Sequence, residues 1–262
     1  PEPPMLVMTS GNIHDEPIVT DDAEARGKLG GIACVVLGND RAILSRYDDS
    51  VVRIISAGSA GAAVQVIRRA RGFAPVPLKL AQTSTNPEAA AAPEDAAAPE
   101  ATGAAGHEGS PETAGHEAAA VAPVLFAAGS EQKSTFAFVR GSEAFVSQHV
   151  GDLENAEAFD AWLDAKSRFE KLFELRATRL ACDAHPEYLA SKWAREQARK
   201  LDIPLVEVQH HHAHIASVIG ENGLSGAVCG IAFDGTGFGA DGSIWGGEVL
   251  LANAQAYERF AN

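Results

Sequence analysis

The sequence predicts an α/β protein made of two unequal α/β parts joined by a flexible linker. Three features carry that reading. From residue 123 onward, apolar runs of strand length alternate with segments whose apolar residues recur at helical spacing. Residues 1–80 hold further short apolar runs separated by polar knots. Between the two parts, Ser84 to Ala120 contains no Ile, Leu, Val or aromatic residue, too little apolar surface to offset the entropy of ordering.

A chain of 262 residues is long enough for two modest domains, each with its own core. The formal net charge is −14, and the linker supplies half of it through Glu88, Glu94, Asp95, Glu100, Glu108, Glu112 and Glu117, with no Lys or Arg to offset them. The remainder is only mildly acidic, so charge gives no support for a broad nucleic-acid surface, and nucleic acid is not an expected partner. Cys34, Cys182 and Cys229 are far apart and form no CxxC pair, which indicates neither a disulfide framework nor a cysteine zinc site. No signal peptide is recognisable, and no apolar run approaches the roughly 20 residues of a membrane helix. A cytoplasmic location away from the membrane is the expectation. Because the chain opens on Pro1 and reads straight into an apolar run, it is expected to be a segment of something longer.

In order, Met5–Met8 is an apolar run ending in the polar turn Thr9-Ser10-Gly11-Asn12, a common place for ligand contacts in α/β folds. Asp21-Asp22-Ala23-Glu24 reads as a capped helix start. Ile32–Leu37 predicts a buried strand, Asn39-Asp40 a turn, and Arg41–Arg53 a strand, a charged knot and a second strand. The knot Ser45–Ser50 places one arginine, two carboxylates and two serines between apolar runs, which is costly unless they pair or meet a charged ligand; a surface ion-pair loop is the bland alternative. Arg68–Pro75 is a compact basic turn. Residues 81–122 form the linker, with His107 and His116 incidental to it. In the second part, Val124–Ala128 is a strand, Gly129–Thr135 a polar turn carrying Lys133 and Thr135, and Phe136–Val139 a strand. That is how an actin/hexokinase-type ATPase domain begins, although an ordinary hairpin reads the same way. Helices are predicted over Asn155–Leu175 and Leu189–Lys200, and strands over Leu180–Asp183, Leu205–Val208 and Cys229–Phe233.

Four of the nine histidines fall at 210, 211, 212 and 214. On a helix, His210 and His214 share one face at i and i+4, the spacing for two imidazoles to hold one metal ion; His211 with His214 is a second possible pair. Asp234, ending a nearby strand, offers an oxygen ligand. Two imidazoles and a carboxylate suit Zn or Fe(II). Gly235, Gly237 and Gly239 would let backbone N–H groups approach an anion. A polar helix start with buried core histidines is the competing reading.

The runs Val208-Gln-His-His-His-Ala-His-Ile-Ala-Ser217, Phe233-Asp-Gly-Thr-Gly-Phe-Gly-Ala-Asp-Gly-Ser-Ile-Trp-Gly-Gly-Glu248, Ser147-Gln-His-Val-Gly-Asp-Leu153 and Asp183-Ala-His-Pro-Glu-Tyr188 resemble the HypF family, the carbamoyltransferases of nickel–iron hydrogenase maturation. Thr9–Asn12 with Glu16-Pro-Ile18, Asp48–Arg53 and Arg68–Pro75 look like the end of that family's YrdC-like domain. The chain departs from the family at Asn39-Asp40-Arg41, where His-Asn-Arg is usual, and in the length of the insertion after Leu80.

The resemblance implies a partial YrdC-like α/β domain (1–80), an Ala/Glu/Pro-rich linker (81–122) and the first part of an actin/hexokinase-type carbamoyltransferase domain (123–262). It implies ATP with Mg and carbamoyl phosphate as substrates, carbamoyl-adenylate as intermediate, and the C-terminal cysteine of HypE as acceptor. His210, His214 and Asp234 would bind the metal, Zn or Fe(II). Ser10, Asn12, Arg46 and Ser50 would lie at the adenylate site, with Arg41 and Arg53 neutralising phosphate. Lys133, Thr135, Gly235, Thr236 and Gly237 would lie by the second domain's nucleotide. His211, His212 and Asp241 are the candidate catalytic residues, the two histidines contacting substrate or supporting the ligands. A tRNA threonylcarbamoyl transferase and a non-catalytic metal- and nucleotide-binding fragment are the alternatives.

Overall fold

The computed structural model describes Met5 and residues 9–14, 16–56, 61–80 and 122–262. Residues 81–121 of the linker, with His107 and His116, and all but Met5 of the apolar run Met5–Met8 lie outside these residues.

The larger body is a six-stranded mixed sheet. Its strands are β3 (Leu78–Lys79), β4 (Val124–Ala127), β5 (Ala137–Arg140), β6 (Glu143–Val146), β7 (Arg179–Asp183) and β8 (Leu205–Val208), in the order β3-β6-β5-β4-β7-β8. β4, β5 and β6 form antiparallel hairpins, whereas β7 and β8 run parallel to β4. A parallel neighbour needs a crossover, and two helices supply it: α2 (Ala156–Phe173) before β7 and α3 (Leu189–Leu201) before β8. Asn155 caps α2 by accepting from Ala158 N at 2.7 Å, and its inward stripe is Ala158, Trp162, Ala165 and Phe169. α3 buries only Ala190, Ser191, Ala194 and Ala198, small residues that bring its backbone close to the sheet. Trp162 sits at the centre of the core, with its ring centroid 5.8 Å from Phe126, 5.8 Å from Phe136 and 5.1 Å from Trp193. The sequence predicts β4, β5, β7, β8 and both helices to within a few residues, whereas the two-residue β3 has no counterpart among the predicted elements.

A second layer follows. α4 (His210–Asn222) leads into an antiparallel sheet of β9 (Val228–Phe238), β10 (Ile244–Ala252) and β11 (Tyr257–Ala261). Ile215 and Ile219 of α4 pack with Trp245, Leu250 and Ala252 of β10.

The first part is less regular than the sequence predicts. α1 (Asp22–Leu29) starts as expected, with Asp21 accepting from Ala23 N and Glu24 N. β1 (Val51–Ser56) and β2 (Ala62–Arg68) form a two-stranded ribbon. Ile32–Leu37, however, is not a strand, and Val35 and Leu37 are 84% and 98% exposed. Arg41–Leu44 is likewise irregular. Apolar character gives a run strand propensity, but a strand also needs a ladder partner, and among the described residues β1 and β2 pair only with each other.

The two parts meet along one seam. Leu78 and Lys79 pair with Ala144 and Glu143 of β6. His149 Nδ1 lies 2.7 Å from Asp48 Oδ2, His149 N–H donates to Arg69 O at 3.0 Å, and Gln148 Nε2 donates to Arg46 O at 3.3 Å. The same loop then turns back to its own body, where Asp152 Oδ1 accepts from Lys133 N at 2.6 Å. Among the described residues, no helix is long and apolar enough to cross a membrane.

Candidate metal centre

The centre forms at the carboxyl ends of the parallel strands, where open α/β sheets bind ligands. β8 ends at Val208, and Gln209 caps α4 by accepting from His212 N at 2.8 Å. Helical spacing then divides the histidines between two faces. His210 and His214 project toward Asp234 of β9: His210 Nε2 is 2.8 Å from Asp234 Oδ2, His214 Nε2 is 3.7 Å from it, and the two Nε2 atoms are 3.2 Å apart. Ligand atoms about 2.0–2.1 Å from one tetrahedral ion lie about 3.3 Å from each other, so the three observed separations have the size of such a ligand triangle.

Asp234 Oδ2 supports the fit. It is buried, and despite its closeness to His210 it receives no hydrogen bond in acceptable geometry. A buried carboxylate oxygen without a donor is costly, and a cation held by the two imidazoles would satisfy it. The residue is aimed by an irregularity in its strand. The β9–β10 ladder passes from Phe233↔Gly247 to Gly237↔Trp245, leaving Asp234, Gly235 and Thr236 opposite Gly246 alone.

His210 Nδ1 contacts Asp183 Oδ2 at 2.6 Å. That hydrogen bond, with the charges of Asp183 and Asp234, raises the His210 pKa against the opposing effect of burial. At His214, burial and then the neighbouring His210 lower the pKa. A metal-free chain therefore holds a proton on His210 to higher pH than an ordinary imidazole, while His214 is already neutral there. Since metal and proton compete for the same lone pair, zinc affinity should rise as pH increases from about 6.5 through the raised His210 pKa. A competition titration with a chromophoric chelator at pH 6, 7 and 8 measures this; equal affinity at all three would contradict it.

His211 and His212 face away, contrary to their predicted catalytic role. His211 is fully buried: Gln209 Nε2 donates to its Nδ1 at 3.0 Å, and its Nε2–H donates to Gly246 O at 2.9 Å. Both nitrogens are thus committed to the fold. His212 Nε2–H donates to Asn253 O at 2.8 Å, and its ring lies against Tyr257. Asp241 is equally structural. Its Oδ1 accepts from Ser243 N, Ser243 Oγ and Trp245 Nε1, which organises the turn between β9 and β10, and the Ser243 bonds lower its pKa.

The predicted glycine loop is mostly strand. Gly235, Thr236 and Gly237 belong to β9, and Gly237 answers to packing: a Cβ there would lie 2.3 Å from His211 Cε1. Lys133 stands with a different group. Its backbone is left-handed (φ 48°), and together with Ser10, Asn12, Arg46 and His149 it lines a cavity of about 670 Å³ between the two parts of the chain. Thr135 lines neither cavity described here. Ser50 is engaged elsewhere, its hydroxyl donating to Arg71 O and accepting from Ala70 N. Arg53 donates to Gln65 on the ribbon. Arg41 is exposed and does not line the cavity. A second cavity, about 500 Å³ and largely apolar, runs between α4 and β9 and reaches His214 and Asp234.

Sequence reasoning assigned no role to Asp183, although its motif was conspicuous. The signal was present: Asp183 ends β7 and stands in register with Val208, the residue two before His210.

A mixed sheet with parallel strand ends, a His-x-x-x-His helix and a carboxylate from the next hairpin define an actin/hexokinase-type domain built around a candidate metal site. Family models agree with that class. The model described as the HypF Kae1-like domain matches residues 120–221, the second subdomain of the carbamoyltransferase Kae1-like domain matches 230–262, and a Sua5/YciO/YrdC model described as telomere recombination matches 2–70. The chain belongs to the HypF family. It is 39% identical over its whole length to carbamoyltransferase HypF2 of Cupriavidus necator, and 36% identical over 97% of its length to carbamoyltransferase HypF of Rhizobium leguminosarum bv. viciae. It spans 28% and 27% of those relatives. A crystal structure of full-length HypF in the phosphate- and nucleotide-bound form superposes with a TM-score of 0.74 at 38% identity, covering 96% of this chain and 32% of that one. The crystal structure of T. kodakarensis HypF gives 0.73 at 33% identity, covering 97% and 28%.

Proposed function

We propose that this chain is part of an ATP-dependent carbamoyltransferase of nickel–iron hydrogenase maturation, acting in the cytoplasm. The observation that carries the reading is the convergence of His210, His214 and Asp234 in a chain whose relatives are named carbamoyltransferases. Residues 1–80 would contribute to forming carbamoyl-adenylate from ATP, with Mg, and carbamoyl phosphate: water releases phosphate to leave carbamate, whose oxygen attacks the ATP α-phosphorus as pyrophosphate departs. Residues 81–122 would connect the domains, and 123–262 would contribute to transfer. The acceptor would be the C-terminal cysteine of HypE.

In this reading the protein residues bind and orient. Ser10, Asn12, Arg46 and Lys133 share one cavity, where the two cationic side chains would neutralise phosphate oxygens. At the transfer site the acceptor thiolate forms an S–C bond to the carbamoyl carbon, the C–O bond to the phosphate breaks, and AMP leaves. His210, His214 and Asp234 would hold Zn or Fe(II), whose chemistry when bound is Lewis acidity toward a carbonyl or phosphoryl oxygen.

The test uses a full-length HypF protein carrying this segment, with ATP, labelled carbamoyl phosphate and a peptide ending in the HypE cysteine. AMP release with label on the cysteine is expected, and His214→Ala should abolish the transfer of label. Absence of label on the cysteine with the unaltered protein would overturn the reading, and label on tRNA would favour a threonylcarbamoyl-type transferase.

A further inference from the structure

We propose that Asp183 is a positioning residue of the metal centre, fixing the tautomer and aim of His210 so that its Nε2 lone pair faces His214 and Asp234. The inference rests on the metal reading above and extends it to a residue that binds no metal itself.

The geometry assigns the proton. Asp183 Oδ2 lies 2.6 Å from His210 Nδ1, and a carboxylate can only accept, so in the neutral ring, the form that can bind a metal, Nδ1 carries the hydrogen and Nε2 keeps its lone pair. Nε2 is the atom 3.2 Å from His214 Nε2 and 2.8 Å from Asp234 Oδ2. A carboxylate behind a ligating imidazole sets the ring's orientation and raises its basicity toward the metal. The Asp183 side chain is only 6% exposed, so solvent screens this bond weakly.

Asp183 is itself held from several sides, which a positioning residue requires. Its Oδ1 accepts from His185 N at 2.8 Å, and its backbone carbonyl accepts from Ser191 Oγ at 2.9 Å. Beyond it, the Arg195 guanidinium donates to Ala184 O, His185 O and Pro186 O and pairs with Glu207 on β8. His185 stacks on Tyr188 at 4.0 Å. The whole Asp183-Ala-His-Pro-Glu-Tyr188 loop is thereby fastened to β8, the strand that delivers the histidine helix.

The experiment measures metal binding by this chain, apart from any catalysis. Zinc affinity is read by chelator competition for the unaltered chain, Asp183→Asn, Asp183→Ala and His210→Ala, and the absorption spectrum is recorded with Co²⁺. Asp183→Asn keeps an acceptor without the charge and should weaken zinc about 10-fold; Asp183→Ala should weaken it by up to about 100-fold and broaden the Co²⁺ bands. Affinities for both variants within twofold of the unaltered chain, with unchanged spectra, would overturn the proposal. If the unaltered chain binds neither metal, the metal reading itself fails. Should the alanine variant not fold, long-range ¹H–¹⁵N spectra of the unaltered, metal-free chain at pH 8 decide independently: neutral His210 must carry its hydrogen on Nδ1, and a hydrogen on Nε2 refutes the assignment.

Discussion

His210→Ala should abolish tight zinc binding by this chain. His210 is the proposed ligand nearest the other two, with Nε2 2.8 Å from Asp234 Oδ2 and 3.2 Å from His214 Nε2, and its removal would leave one imidazole and one carboxylate. Changes in the outer shell of a metal site typically cost about 10–100-fold in affinity, so loss of a ligand should exceed that range. The effect should be specific. Removing the His210 ring also leaves the buried Asp183 carboxylate without its partner, which by itself lowers the stability of the metal-free chain, so zinc binding is compared at a temperature where both variants remain folded. His107→Ala, outside the described residues, serves as the control that must leave zinc binding intact. Equal zinc stoichiometry in the two variants by atomic absorption would show that the three side chains do not form the site.

The second large effect concerns stability. Trp162→Ala removes the side chain around which Phe126, Phe136, Phe159 and Trp193 are arranged, all with ring centroids within 5.8 Å. Trp162 is fully buried, and deleting such a side chain typically costs about 3–5 kcal/mol in transfer and cavity energy. At roughly 2–4 °C per kcal/mol for a domain of this size, the melting temperature should fall by about 6–20 °C. Trp162→Phe is the informative partner. The indole Nε1 is buried without a hydrogen-bond partner, so replacement by Phe loses volume but also removes an unsatisfied donor and should cost clearly less. Calorimetry on both variants measures the difference; an alanine variant as stable as the phenylalanine one would mean that the aromatic cluster is not the core.

Local pattern was legible in the sequence, and non-local pairing was not. Helical spacing located α2 and α3 because each carries its inward stripe in consecutive residues. The i, i+4 spacing put His210 and His214 on one face, and the end of an apolar run singled out Asp234. Ile32–Leu37 failed because an apolar run becomes a strand only when another backbone takes up its hydrogen bonds. The run from Asp234 to Gly237 failed in the opposite direction: its glycines suggested a loop, but β10 pairs around them and one of them makes room for His211. His211 and His212 were misassigned for a related reason. Which side of a helix meets the protein depends on the hairpin that follows, and that hairpin satisfies both rings through the carbonyls of Gly246 and Asn253.

The short pairing of Leu78–Lys79 with β6 has a practical consequence for anyone dividing the protein. A segment beginning at residue 123 would keep the aromatic core and the histidine helix, yet it would lose the strand that closes off β6. The backbone N–H and C=O groups of β6 that now meet Leu78 and Lys79 would face solvent, and an uncovered strand margin is a template for chain-to-chain association. Dissection at the linker thus removes a guard against self-association, and a soluble transfer domain is better begun before Leu78 or made with that margin blocked by charge.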